Sequence, residues 1–475
     1  MKDNLMEKTI QELAPLIQNK EISPVELVDQ CLERIQETEP TINAFITVLE
    51  DSAKENAKVA EKEILNGNYK GVLHGIPYSA KDLYTTKGIK TTAGSKILSD
   101  YVPDFDATTV SKLNTAGAIL VGKNNLHEFA YGGTNENEHF GPTGNPWNPN
   151  MIPGGSSGGS GATVAAFSSI FSLGTDTGGS IRIPASLCGV VGIKATYGRV
   201  SRNGVLPLSS SLDHAGPLAK TTWDTAAVLS VMAGYDPKDP SSSKKEVPNY
   251  FEAFTEDNFS LEGITIGICE AYYFENLDPE VEMSVRQSIE LFKTLGASIV
   301  EIDLPFLEES AKLQSMLTTA EAYSYHSSYL KERYEEYGTN IRTRLELGQY
   351  TPAWAYIQAQ RLRQKTKESW NEVYKSIDLL LAPTTAIPAF PINCSTITFG
   401  DKEINPRDLG VLARTSPSNF NGFPCISVPC GFTESGLPIG LQLQGRPFEE
   451  LLVFRAANSF EKAYEVAKSV RGVVV

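Results

Sequence analysis

Basic residues are in deficit along this chain, with 42 Lys and Arg against 57 Asp and Glu, a formal net charge of −15 over 475 residues. Such an acidic balance favours solubility and argues against a broad nucleic-acid footprint. Histidine is scarce as well, at five residues. His127-Glu128 lacks the second histidine of H-E-x-x-H, and His74, His139, His214 and His326 are too dispersed to suggest a metal centre. The six cysteines, Cys31, Cys188, Cys269, Cys394, Cys425 and Cys430, form neither a C-x-x-C pair nor a short disulfide framework, and their apolar neighbours suit reduced, buried thiols. No apolar run approaches the ~20 residues that span a bilayer. The N-terminal Met1-Lys2-Asp3-Asn4-Leu5 lacks the apolar core of a signal peptide. A cytoplasmic protein with no cofactor, no membrane association and no direct nucleic-acid partner is the expectation. Repeats, coiled coils and low-complexity segments are also missing.

What is present is ordinary globular composition, 41% hydrophobic and 21% charged. The length admits two or three average domains or one large one. Ser23-Pro24-Val25-Glu26 is a compact helix start, with Ser23 as cap, Pro24 at the first helical position and Glu26 placed to close a capping box. Leu27, Cys31, Leu32 and Ile35 then recur at helical spacing. A strand is predicted over 43–48, helices over 51–65 and 107–117, strands over 118–123 and 188–194, and a helix over 223–233. The polar stretch from Asp236 to Pro248 is the best linker candidate. Beyond it come a strand at 264–268, a helix at 279–295, a strand at 298–300 and mainly helix from 307 to 376, with Tyr323, Tyr325 and His326 as pocket walls or core. The apolar runs at 379–384 and 426–428 suit strands covered on both faces. This is α/β alternation.

The chain is organised around Pro153 to Pro184, which holds two glycine-serine clusters, Gly154-Gly155-Ser156-Ser157-Gly158-Gly159 and Thr177-Gly178-Gly179-Ser180. Glycine lets the backbone turn sharply and lets other groups come close, so each cluster can present amides and a hydroxyl to one point. A flexible linker is excluded by the apolar run Ala162 to Phe167 and by Asp176 and Arg182, which bracket the second cluster. Gly154 to Gly158 fits G-x-S-x-G, but three prolines in the preceding nine residues are unsuited to the strand that elbow requires. No lysine follows the glycines, which excludes a phosphate-binding P-loop.

This stretch resembles the signature of the amidase signature enzymes, hydrolases and amidotransferases that use a Ser-Ser-Lys triad. The likeness runs from the N-terminal helices to Gly422-Phe423-Pro424-Cys425-Ile426-Ser427-Val428-Pro429. It implies an α/β fold, one large α/β/α sandwich over residues 1–475 around a mixed, mainly parallel sheet, with 236–375 as a variable lobe shaping the substrate mouth. The resemblance also implies Ser180 as nucleophile, Ser156 as proton relay after a cis Gly155-Ser156 peptide, and Lys81, within Gly75 to Asp82, as base. Alone, Lys81 would read as a solvated surface lysine. Amides of Thr177, Gly178, Gly179 and Ser180 suit an oxyanion hole. Ser157 would support the lysine, and Asp176 and Arg182 would brace the loop. With no histidine near either serine in sequence, Lys81 must act neutral, which requires burial.

The implied activity is hydrolysis of a small-molecule carboxylic amide. Similar proteins divide into stand-alone amidases and the glutaminase (A) component of the tRNA-dependent amidotransferase, which releases ammonia from glutamine for a partner subunit. That component is expected to read the α-ammonium with an acid about ten residues before the Gly-x-Pro element, a place held here by Leu412, with Asp408 the nearest acid upstream. Arg363, beside Arg361, is the candidate for the α-carboxylate. An unpaired buried ammonium costs about 1–3 kcal/mol or more, so a stand-alone amidase is favoured over the glutaminase component, and a silent scaffold subunit is the third reading. A homodimer is left open.

Overall fold

The computed structural model describes residues 4–255, 258–399, 402–406 and 414–464. Eleven strands form one sheet: β1 (Phe45–Val48), β2 (Pro77–Lys81), β3 (Ile119–Asn124), β4 (Phe171–Asp176), β5 (Val191–Lys194), β6 (His214–Ala219), β7 (Thr265–Ile268), β8 (Ser298–Glu301), β9 (Leu379–Pro383), β12 (Cys425–Phe432) and β13 (Pro438–Gln444). Strands β10 (Ile397–Phe399) and β11 (Lys402–Ile404) make a separate hairpin. The sheet order is β1-β3-β2-β4-β6-β5-β12-β13-β9-β7-β8. Every residue of β2, β3, β4, β5, β6, β9 and β13 is buried, odd and even positions alike. Alternate side chains point to opposite faces, so both faces are covered, as an α/β/α arrangement requires.

The α/β class and the mixed sheet are as expected. Parallel pairing is confined to two blocks, β3-β2-β4 and β8-β7-β9. The centre, β4-β6-β5-β12-β13-β9, is antiparallel throughout, as is β1 against β3. The mainly parallel character expected of the sheet therefore holds for the blocks and not for the middle. Proline-containing β6 and the antiparallel β12–β13 pair lie there, and continuous burial rather than strand direction accounts for their apolar composition.

Helix starts follow local chemistry. Ser23 accepts a bond from the Val25 amide at 2.9 Å, while its own proton goes to Glu61 at 2.5 Å. The reciprocal box expected at Ser23 and Glu26 forms instead at Thr9 and Glu12. The stretch proposed as a linker is fastened down: Asp236 accepts bonds from Thr108 and Ser201 at 2.7 and 2.5 Å, and Asp239 accepts from the Arg202 amide at 2.8 Å. Within 236–375, β7 and β8 belong to the main sheet, whereas the helix Leu307–Glu332 reaches the cavity beside Ser180. Five of the six cysteines are buried, Cys394 is half-buried, and all six are free thiols. Among the described residues, no helix is long and apolar enough to cross a membrane.

Candidate active site

The site forms where two parallel strands end side by side. Strand β2 pairs with β4 in the register Tyr78↔Phe171, Ser79↔Ser172, Ala80↔Leu173. Lys81, the last residue of β2, thereby stands beside Gly174-Thr175, and the chain leaves β4 into Thr177-Gly178-Gly179-Ser180. This is the carboxyl edge at which open α/β sheets place their ligands. The first cluster arrives separately. Gly155-Ser156 is a cis peptide, and the helix Gly158–Ala165 follows at once. The Ser157 amide donates to the Ser180 carbonyl at 3.3 Å, which ties the two turns together.

Lys81 is fully buried. Its Nζ lies 2.7 Å from Ser156 Oγ, 3.0 Å from Ser157 Oγ and 2.8 Å from Thr175 Oγ1. Burial pushes its pKa down to about 7, against the pull of the Asp213 and Asp176 carboxylates. Ser157 Oγ in turn donates to the Thr175 carbonyl at 3.2 Å. The solvated-surface reading of this lysine is thus overturned, and Thr175 is a partner that sequence reasoning missed.

The second cluster is braced by charge. Asp176 pairs with Arg182 through Nε at 3.0 Å and Nη2 at 3.1 Å, and accepts from Asn419 Nδ2 at 2.7 Å. Burial alone would raise the Asp176 pKa, but the Arg182 guanidinium holds it well below the usual carboxylate range. Arg182 also reaches Ser418 Oγ, Gln442 Oε1, Thr415 O and Asn419 Oδ1 at 2.6–3.1 Å. Both groups are buried beneath the loop, consistent with a bracing role. The Gly179 amide donates to Asp176 Oδ1 at 2.7 Å, which narrows the proposed oxyanion donors to Thr177, Gly178 and Ser180. Gly179 itself has φ +132°, and a Cβ there would lie 2.2 Å from Thr415 Oγ1. Only glycine fits that turn.

Ser180 lines a cavity of about 80 Å³ with Tyr131, Leu208, Gln314, Thr318 and Arg344 among its walls. Arg344 also borders a larger cavity of about 660 Å³. Thr177 Oγ1 donates to Asp213 at 2.6 Å, and Gln314 Nε2 to the Thr177 carbonyl at 3.0 Å. Asp213 directly precedes β6. Gln314 carried no signal in the sequence. Strand pairing sets His214 opposite Asp176, a proximity that sequence spacing hid. Its Nδ1 contacts the Leu212 carbonyl at 2.7 Å, and burial keeps the ring neutral. His326 packs edge-on against Phe129 and bonds Tyr337 Oη at 2.9 Å, a core role.

Arg363 is buried and donates to the carbonyls of Phe420 and Ser211. Its neighbour Arg361 is exposed. Leu412 and Asp408 lie outside the described residues. No group of three or more His, Cys, Asp or Glu among the described residues could hold a metal ion.

Known proteins share this arrangement of chain. The family model described as Amidase matches residues 26–454. The chain is 42% identical over 484 residues to the A component of the glutamyl-tRNA(Gln) amidotransferase of Trichlorobacter lovleyi, covering 97% of this chain and 98% of that one. Among solved structures it superposes with a TM-score of 0.90 on a chain of a vestigial protein complex bearing on the origins of an s-triazine catabolic enzyme, at 34% identity over 96% of this chain and 98% of that one. It matches the A component of the glutamyl-tRNA(Gln) amidotransferase of Thermotoga maritima with a TM-score of 0.80, at 35% identity over 97% and 96% of the two chains.

Proposed function

The chain belongs to the amidase signature family, and from that premise we propose that it cleaves a carboxylic amide C–N bond through an acyl-enzyme on Ser180, with Ser156 and Lys81 as the proton relay. One observation carries the reading. A buried lysine lies against three hydroxyls, with no ion pair to a carboxylate among the described residues.

A neutral amine has two N–H donors and one lone pair. Ser157 spends its proton on the Thr175 carbonyl, so it accepts from Lys81, and Thr175 Oγ1 takes the second donor. The lone pair is left for the Ser156 hydroxyl, the nearest of the three at 2.7 Å. Ser156 can then take the Ser180 proton as it passes its own to Lys81. Ser180 Oγ attacks the amide carbon, and the oxyanion meets the amides of Thr177, Gly178 and Ser180. Lys81 returns its proton through Ser156 to the departing nitrogen, the C–N bond breaks, and ammonia or an amine leaves. Water then cleaves the acyl-enzyme by the same relay.

For the setting, the relatives' names favour release of ammonia for a partner subunit, as in the amidotransferase A components, over the stand-alone amidase expected from the sequence. The stand-alone reading retains one specific support. Arg363 is committed to two backbone carbonyls, and the residue type at position 412, leucine, offers no acid to an α-ammonium. A fluorophosphonate should label Ser180 in wild type and not in Ser180→Ala, and label on Ser156 alone would reverse the roles. Glutaminase activity with a co-purifying partner supports the amidotransferase setting. Turnover of aliphatic or aryl amides by the chain alone supports the amidase, and an unreactive Ser180 leaves a scaffold.

A further inference from the structure

We infer that Gln314 is a positioning residue for the loop that carries Ser180: its side-chain amide fixes the plane of the Thr177–Gly178 peptide, and with it the direction of the Gly178 N–H, from a helix outside the glycine-serine signature. The inference rests on the reaction proposed above.

Gln314 lies on the helix Leu307–Glu332, is 7% exposed and lines the same cavity as Ser180. Its Nε2 donates to the Thr177 carbonyl and to Thr318 Oγ1, both at 3.0 Å. Thr318 Oγ1 donates back to the Gln314 carbonyl at 2.9 Å, so the next helical turn holds the side chain. Both N–H groups of the primary amide are thus used. Turning the amide over would set its oxygen against the Thr177 carbonyl oxygen, two acceptors face to face. The orientation is therefore fixed by chemistry.

Across a trans peptide the C=O and the following N–H point in opposite directions. Holding the Thr177 oxygen therefore aims the Gly178 N–H. The neighbouring peptide is held at both ends by other groups, since the Gly178 carbonyl accepts from Thr415 Oγ1 at 2.6 Å and the Gly179 amide donates to Asp176. Asp213 holds the Thr177 hydroxyl but leaves that residue's peptide plane free to rotate. Gln314 supplies the missing restraint. It also packs on the peptide it orients, because a Cβ on Gly178 would lie 3.0 Å from its Nε2.

Loss of an oxyanion donor costs about 100- to 1,000-fold in rate, and loosening one of several costs less, about tenfold. Gln314→Met keeps the bulk and removes both donors, and Gln314→Glu keeps the shape and removes them if the methionine variant does not fold. With the full chain and an activated amide, kcat should fall about tenfold while KM and melting temperature stay close to wild type. Affinity for a trifluoromethyl ketone analogue of the tetrahedral intermediate should fall by the same factor as kcat, because interactions made only in the transition state are lost in both. A raised KM with unchanged kcat and unchanged analogue affinity would overturn the inference. Fluorophosphonate labelling of wild type separates the two levels: failure to label Ser180 sinks the reaction and this inference together, whereas normal labelling with an indifferent Gln314 sinks the inference alone.

Discussion

The pH dependence of turnover tests the central proposal for the site, that Lys81 works as a neutral amine. An ordinary lysine near pKa 10.4 has about 0.04% of its amine unprotonated at pH 7. With Lys81 held at about 7 by burial, about half is unprotonated, a gain of ~1,000-fold in competent base. The rate kcat/KM on an activated amide should therefore rise about tenfold per pH unit below 7 and level off above it. Burial also brings Lys194 to about 7 and Lys220 to about 8, and Glu39 and Glu461 up to about 7, so the limb must be assigned to its residue. Lys81→Cys alkylated with 2-bromoethylamine restores an amine of lower basicity, and the limb should move to lower pH with it. A limb that stays in place, or a flat profile from pH 5 to 9, refutes the assignment. Stability gives a second reading. The folded chain releases the Lys81 proton near 7 and the unfolded chain near 10.4, so between those values the unfolded state holds more protons. From this group alone stability must rise with pH across that window, by at most about 1.4 kcal/mol per unit, and Lys81→Met should lack the rise.

Three further substitutions probe the supports. Asp176→Asn leaves the Arg182 guanidinium buried without its partner and should destabilise the fold by about 3–5 kcal/mol, read as a lowered melting temperature; an unchanged melting curve would deny the bracing role. Gly179→Ala adds a methyl group that meets Thr415 Oγ1 at 2.2 Å in a left-handed turn, a strain of about 1–3 kcal/mol before the clash is counted. Fluorophosphonate labelling of Ser180 should collapse while circular dichroism stays native. Thr175→Val removes one of the acceptors around Lys81; an ammonium needs acceptors more than an amine does, so the pH limb should shift downward, and an upward shift would contradict the hydrogen-bond scheme.

The parts of this site that a reader of the sequence can find are those whose chemistry is local. The two glycine-serine turns and the acid and base around the second stand in one short stretch, whereas Lys81, a surface lysine by its own neighbours, is singled out only by the family resemblance. The brace between Asp176 and Arg182 closes over six residues and was legible for that reason. What stayed hidden is what folding brings from far away. Thr175 meets Lys81 only because β2 and β4 pair in one register, His214 meets Asp176 across another, and Gln314 comes from a helix 137 residues beyond the carbonyl it holds. Strand direction was equally opaque, since a buried antiparallel strand reads as the same apolar run as a parallel one. The presumed linker failed for a related reason: Asp236 and Asp239 look like solvated turn residues until Ser201, Thr108 and Arg202 are folded against them.

Burial alone does not make a lysine a base, and the other buried lysines among the described residues differ from Lys81 in their neighbours. Lys123 is paired with Asp82 at 2.9 Å. Lys194 donates to the Phe423 carbonyl, and Lys220 to the carbonyls of Met6 and Lys8. A backbone carbonyl only accepts, so a proton arriving at either amine has nowhere to go. Hydroxyls both donate and accept, and those of Ser156, Ser157 and Thr175 surround Lys81. The proposed relay therefore asks for an amine whose pKa burial has lowered to about 7 and whose neighbours can hand a proton onward in either direction. On the proposed relay, replacing a surrounding hydroxyl by a carboxylate should recharge the amine, and replacing Ser156 by a residue that only accepts should strand the proton, so either change at the two serine-bearing turns should cost as much turnover as loss of Lys81 itself.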